Sequence, residues 1–146
     1  MSDKPLPFAR ASRRFDVPPE DVFDAWLDPK KVVMWFAPGL GDMVRVEVDP
    51  RVGGAFSFVQ RRDGEDIDHT GQYLEMKRPT RLVFTWSVPA YSPETARIIV
   101  EVFPLGGGCE ATITHELRPE WAELADRAVE AWSEMLEAMA AAVRSS

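Results

Sequence analysis

Alternation of apolar and polar residues recurs in seven segments of the first 117 residues. Residues 43–49 read Met-Val-Arg-Val-Glu-Val-Asp, with valines alternating against charges, and residues 55–61 place Phe56 and Phe58 two positions apart. Side chains two residues apart on a strand point to the same face, so this pattern predicts half-buried strands. Five more strands are predicted on the same grounds, at residues 8–16, 67–76, 81–88, 96–103 and 109–117. The short connections carry Pro or Gly, which favours antiparallel neighbours.

Helical spacing, with apolar residues every three or four positions, replaces the alternation in three segments. Pro19, which two acidic residues follow, predicts the start of a short helix. Asp28 as N-cap and Pro29 at the first helical position predict a second. Pro119 marks the start of a long amphipathic helix. Its apolar side consists of Trp121, Leu124, Ala125, Ala128, Trp132, Met135, Leu136, Met139 and Val143.

The resulting order of elements is strand, two short helices, six strands and one long helix. The apolar stripe of the long helix requires an apolar sheet face to cover it. We therefore predict an α+β fold in which a curved antiparallel sheet wraps around a long C-terminal helix, with two short helices after the first strand.

Length, net charge and cysteine count argue against several classes of function. The 146 residues fit one domain, and the formal charge of −7 argues against binding nucleic acid or an anionic membrane. Cys109 is the sole cysteine, so neither an intrachain disulfide nor a cysteine-based zinc site is expected. The sequence contains no signal-peptide pattern and no apolar run of transmembrane length. A cytoplasmic protein is the expectation.

Four stretches carry a family resemblance: "RRFDVPPEDVFDAWLDPKKVVMWFAP", "VDPRVGGAFSFVQRRDG", "GQYLEMKRPTRLVFTW" and "TITHEL". In this order they resemble the activator of heat-shock protein 90 ATPase homologue family, within the START-like or SRPBCC superfamily. The resemblance implies a helix-grip (START-like, Bet v 1-like) fold forming a single domain over residues 1–146, with a core of about 9–143.

Two departures from that family bear on function. Early in the last helix the family often carries a Gly-His-Glu stretch followed by Gly-Trp, whereas this chain reads "ADRAVEAWSEML" and keeps only Trp132. Eukaryotic co-chaperones of the family also have a separate N-terminal domain that drives ATPase stimulation, for which 146 residues leave no room. Both departures argue against chaperone activation.

In a helix-grip fold a cavity can remain between the long helix and the inner face of the sheet. Alternation assigns to that face Gln60, His69 and His115 as polar groups, together with many aromatic residues. Ligand pockets combine apolar walls with a few placed polar groups, although an aromatic stripe on a sheet is usually core. Neither Lys nor Arg is expected on the inward faces, which favours a neutral or weakly polar ligand. The predicted ligand-binding residues are Trp35, Phe36, Phe56, Phe58, His69, Tyr73, Trp86, Trp132 and Met135.

The sequence gives little support for a catalytic site or a metal site. His69 and His115 are the only histidines, and Glu116 should point away from its neighbour His115 on the strand. We assign no catalytic residue, no metal site and no cofactor. The leading interpretation is a binding protein for a hydrophobic or aromatic small molecule. The alternatives are a co-chaperone or other protein-interaction domain, and a cofactor-free enzyme of the cyclase or hydrolase kind using Tyr73 or His69. A homodimer is left open.

Overall fold

The described part of the chain forms seven strands and three helices, in the order predicted from the sequence. The structure is a computed structural model, and it describes residues 8–91, 95–117 and 123–144. Pro119 and Trp121, which were predicted to open the long helix, lie outside these residues. The elements are β1 (Phe8–Phe15), α1 (Pro19–Ala25), α2 (Pro29–Trp35), β2 (Asp42–Val48), β3 (Ala55–Arg62), β4 (Glu65–Lys77), β5 (Arg81–Ser87), β6 (Thr95–Leu105), β7 (Gly108–Glu116) and α3 (Ala125–Arg144).

All seven strands form one antiparallel sheet in the order β1-β7-β6-β5-β4-β3-β2. Only β1 is displaced from its place in the sequence: it pairs with β7, and the two short helices follow it. Helix α3 packs against β1, α1 and α2 on the inner side of the sheet. This arrangement confirms the predicted α+β helix-grip fold. None of the described helices is long and apolar enough to span a membrane.

Local signals in the sequence explain where several elements begin and turn. The Asp28 carboxylate accepts a hydrogen bond from the Lys30 backbone N–H at 3.0 Å, which caps α2 as predicted. Asp63 and Gly64 both have positive φ, 51° and 82°. Two such residues in a row form the tight turn that joins β3 to β4. The backbone twist of such a turn matches the right-handed twist of the strands.

The predicted inward face of the sheet is the buried face. Ile98, Val100 and Val102 on β6 are completely covered, whereas Arg97 and Glu116 pair across the outer face at 2.9 Å. Glu116 thus points away from the inner face, as alternation required.

The predicted alternation of buried and exposed residues in β2 is corrected by an irregularity in that strand. The register of β2 shifts between Met43 and Arg45, so the residues on either side of the shift no longer follow one alternation. Met43, Val46 and Val48 pack against the core, while Val44 is exposed. The expectation that the valines of this strand share one face was therefore wrong at Val44.

Candidate functional site: a cavity at the mouth of the sheet

Two spaces of very different size lie along the inner face of the sheet. The first, which we call the inner void, has a volume of about 10 Å³. That volume holds roughly one water molecule. The Phe56 and Phe58 rings beside it lie 4.9 Å apart between centroids, and both are buried. This part of the aromatic face is packed core. The void is lined by Trp26, Trp35, Phe56, Phe58, Tyr73, Leu82, Phe84 and Trp86.

The second space, which we call the mouth cavity, has a volume of about 250 Å³ and opens to solvent. It lies between the ends of strands β3, β4, β5 and β7, the loop after α2, and the first half of α3. Its walls combine aromatic rings, a thioether, three alanines and several polar groups. The lining residues are Phe36, Ala37, Pro38, Leu40, Arg62, His69, Trp86, Val88, Tyr91, His115, Ala128, Ala131, Trp132, Glu134 and Met135.

The nine residues predicted to bind a ligand divide between these two spaces. Trp35, Phe56, Phe58 and Tyr73 line only the inner void. The other five, Phe36, His69, Trp86, Trp132 and Met135, line the mouth cavity. The structure therefore brings five of the nine together around an open space, and ligand binding by any of them stays a prediction.

Trp86 forms the boundary between the two spaces, because it lines both. Its ring lies 5.9 Å from Phe56 on the side of the inner void and 5.7 Å from Trp132 on the side of the cavity. Trp86 is partly exposed, unlike Phe56 and Trp132, which are buried. A ligand in the mouth cavity would therefore contact an indole that rests on the packed core.

His69 lines the cavity from β4 with its ring 4.8 Å from Phe36 and 5.7 Å from Trp86. Its Nδ1 lies 3.1 Å from the backbone oxygen of Phe58. Burial lowers the pKa of His69 and the positive charge of Arg62 adds to that effect, while hydrogen bonds to the backbone of Phe58 and Ile67 and the negative charge of Asp68 oppose it. The imidazole is accordingly neutral at pH 7.

His115 lines the cavity from β7, on the far side of Trp132. The Trp132 indole Nε1–H donates a hydrogen bond to His115 Nδ1 at 3.0 Å. Burial lowers the pKa of His115 to about 4. This ring is also neutral at pH 7, and the hydrogen bond fixes its orientation against α3.

Arg62 corrects the expectation that the inward faces carry no cation. It continues the face of Phe58 and Gln60 at the end of β3 and lines the mouth cavity. Its Nε donates to Gln60 Oε1 at 2.6 Å, and its Nη1 donates to the Tyr91 hydroxyl at 3.4 Å. Gln60 in turn donates to the Ala37 carbonyl oxygen at 3.0 Å. The guanidinium is thus held at the rim, where an anionic group would find a counter-charge.

Two buried polar atoms have no hydrogen-bond partner among the described residues: Tyr73 Oη and Trp26 Nε1. Both side chains line the inner void, and burial raises the pKa of Tyr73. The Tyr73 hydroxyl is thus neutral and does not reach the mouth cavity. Within the described residues, no three His, Cys, Asp or Glu side chains converge on a metal-sized site.

Sequence reasoning missed several lining residues, some of which left a signal. Arg62 follows Gln60 by two positions on the same strand, so alternation extended by one step would have placed it. Ala128 and Ala131 precede Trp132 and Met135 by four residues on α3, which puts them on the same helical side. The loop residues Leu40 and Tyr91 left no such signal.

Comparison with known proteins gives a family and a set of solved structures. The model of the family described as Activator of Hsp90 ATPase homolog 1-like protein matches residues 16–144. Protein NE0264 from Nitrosomonas europaea is 20% identical, with a TM-score of 0.83 over 97% of this chain and 99% of that one. Protein CV1439 from Chromobacterium violaceum is 28% identical, with a TM-score of 0.74 over 93% and 96%. The AHSA1-like protein from Aeromonas hydrophila is 21% identical, with a TM-score of 0.78 over 94% and 92%. The comparison with curated proteins gave no match.

Proposed function

The chain belongs to the family of Activator of Hsp90 ATPase homolog 1-like proteins, and within it we propose that this protein binds a small aromatic or otherwise hydrophobic molecule in the mouth cavity. The observation that carries the proposal is the cavity itself, about 250 Å³ of open space against an inner face that is otherwise packed. Ligand sites are concave and mostly apolar, with few polar groups that fix orientation.

The walls of the cavity support an aromatic ligand. Phe36, Trp86 and Trp132 present ring surfaces, and Met135 adds a polarisable thioether from α3. Aromatic and sulfur contacts of this kind favour flat ring systems over flexible chains.

Arg62 refines the expected ligand class. A strongly anionic group buried beside Phe36 or Trp86 would lack a counter-charge, which is unfavourable. At the rim, however, Arg62 and the Tyr91 hydroxyl are available to a carboxylate or sulfonate. We therefore propose an apolar ring system inside the cavity, with any anionic substituent confined to the Arg62 side of the opening.

Two related fluorescent probes test this proposal: N-phenyl-1-naphthylamine, which is neutral, and 1-anilinonaphthalene-8-sulfonate, which adds one sulfonate. Ala128→Phe places a ring in the cavity and should weaken the binding of both probes by about tenfold or more, since the ring occupies space that the probe needs and a tenfold loss corresponds to only about 1.4 kcal/mol of binding free energy. Ala141→Phe is the matched control, because Ala141 is exposed on the same helix and does not line the cavity. Arg62→Gln should weaken only the sulfonated probe.

The position of the blocking substitution follows from the packing. Phe58 is unsuitable for a blocking substitution, because it lies in the closed core beside the inner void. A charged side chain at this position would destabilise the fold instead of filling the cavity. Ala128 is partly exposed and lines the cavity, so a larger side chain there is expected to extend into the open space.

Equal binding by the wild type, Ala128→Phe and Ala141→Phe would contradict the proposal, as would no binding at all. In the latter case a protein-interaction or co-chaperone role, the second hypothesis from the sequence, becomes the better account of the family membership. Conversion of a carbonyl or ester probe by the wild type, lost in His69→Phe, would instead favour the enzyme hypothesis.

A further inference from the structure

The two cavity histidines have hydrogen bonds that fix opposite tautomers. His69 Nδ1 lies 3.1 Å from the Phe58 carbonyl oxygen, which only accepts hydrogen bonds. Nδ1 must therefore carry the proton. In a neutral imidazole the other nitrogen, Nε2, is then unprotonated and is a hydrogen-bond acceptor.

His115 has the reverse arrangement. Its Nδ1 lies 3.0 Å from Trp132 Nε1, and an indole N–H only donates hydrogen bonds. Nδ1 must therefore be the unprotonated nitrogen. The proton of the neutral ring is on Nε2, which is a hydrogen-bond donor.

The neutral form of both rings is favoured, which agrees with the tautomers that the hydrogen bonds assign. Burial lowers the pKa of His69 and of His115, and Arg62 further disfavours a positive charge on His69. Double protonation, in which both nitrogens would donate, is thus disfavoured at pH 7 for both rings. The tautomers are imposed by a backbone carbonyl and by an indole on α3, so a ligand does not have to select them.

We infer that the mouth cavity recognises a neutral aromatic molecule carrying both a hydroxyl and a carbonyl group, the hydroxyl donating to His69 Nε2 and the carbonyl accepting from His115 Nε2–H. The inference rests on the proposed binding function and adds the pattern of donors and acceptors that the ligand must match. A ligand with two donors or two acceptors at these places would leave one buried polar atom unpaired, which is unfavourable.

The tautomers are directly measurable without any ligand. Long-range ¹H–¹⁵N correlation spectra of the ¹⁵N-labelled protein at pH 7 should show one histidine protonated at Nδ1 and the other at Nε2. The chain has only two histidines, so the His69→Gln variant assigns both sets of signals. Two histidines in the same tautomer, a mixture in either ring, or double protonation would overturn the inference.

Ligand recognition is tested with two matched probe pairs. Phenol and anisole differ in a donor hydroxyl, and acetophenone and α-methylstyrene differ in an acceptor carbonyl. Because a typical hydrogen bond contributes modestly to binding, phenol should bind about three- to tenfold more tightly than anisole, and acetophenone more tightly than α-methylstyrene by a similar factor. Indole fluorescence reports binding, since Trp86 and Trp132 line the cavity.

The variants should separate the two preferences. His69→Phe should abolish the preference for phenol and leave that for acetophenone, and His115→Phe should do the reverse. His115→Gln should retain the preference for acetophenone, because a glutamine amide both accepts from Trp132 and donates to a carbonyl. It also serves as the folded comparison if His115→Phe proves unstable.

The results distinguish this inference from the function on which it rests. If all four probes bind without preference, the cavity binds aromatic molecules and the donor–acceptor pattern is wrong. If none of the four binds, the proposed function fails, and the ligand class inferred from the histidines fails with it. Loss of both preferences in a single histidine variant would also overturn the assignment of the hydroxyl to His69 and of the carbonyl to His115.

Discussion

Acidification should destabilise the fold through His115. In the folded chain burial lowers the pKa of this histidine from its usual 6.5 to about 4. Protonation would also place a proton on Nδ1, which faces the Trp132 N–H at 3.0 Å, so two donors would oppose each other. The unfolded chain binds the proton readily. Stability should therefore be complete above pH 6.5 and fall as the pH drops towards 4.

The size of the effect follows from the two pKa values. The difference between 6.5 and about 4 amounts to about 3 kcal/mol of unfolding free energy once the pH lies below both values, at about 1.4 kcal/mol per pKa unit. At pH 5.5, one unit below the unfolded value, the loss should already be about 1.4 kcal/mol. Partial exposure of the His115 ring brings the loss expected at pH 5.5 to about 1 kcal/mol.

Urea unfolding at pH 7.5, 6.5, 5.5 and 4.5 measures the effect. His115→Gln is the control, because its amide keeps an acceptor for Trp132 and does not titrate. Subtracting its pH profile removes the contributions of His69, whose pKa is lowered in the same direction, and of carboxylates such as Glu116. A difference between the profiles below about 0.5 kcal/mol at pH 5.5, or of opposite sign, would refute the reasoning.

Three further predictions concern the core and its chemistry. Trp132→Ala should lower the unfolding free energy by about 3–5 kcal/mol because a buried indole and its hydrogen bond are lost, and a loss below about 1 kcal/mol in chemical denaturation would contradict this. Tyr73→Phe should raise it by about 1 kcal/mol because it removes a buried hydroxyl without a partner among the described residues. Destabilisation would show that the hydroxyl is satisfied in solution. A chelator should leave the thermal midpoint unchanged, and a drop that zinc reverses would defeat this expectation.

Element order was predictable because its signals are local. Alternation marked each strand, and Asp28 and Gly64 marked a helix start and a turn through the backbone conformations they favour. The register shift in β2 was not predictable, since it depends on how Met43 fits against the core, which no neighbour in sequence determines. Val44 was misplaced for that reason.

The sequence predicted which face of the sheet carries the site, but not which part of that face is packed and which part borders an open cavity. Phe56 and Phe58 satisfy the same alternation as His69 and Trp86, yet they border the inner void whereas His69 lines the open cavity. The distinction depends on how rings from α1 and α2 fill the space above each strand. Trp26 and Trp35, 4.8 Å apart between centroids, close the inner end. Such three-dimensional filling leaves no periodic signal in the sequence.

Small residues on α3 accompany the open space of the mouth cavity. Further along α3, Leu136 and Met139 are buried in the core, whereas Ala128 and Ala131 in the first half of the helix line the open cavity. Stability thus comes mainly from the single buried core cluster, which contains most of the large apolar side chains. The two histidines are fixed by the protein itself, His69 by the backbone of β3 and His115 through Trp132 on α3. Because neither alanine takes part in the hydrogen bonds of the histidines, their replacement reshapes the ligand space without removing either bond. Recognition at the mouth can therefore change while the fold that positions it stays the same.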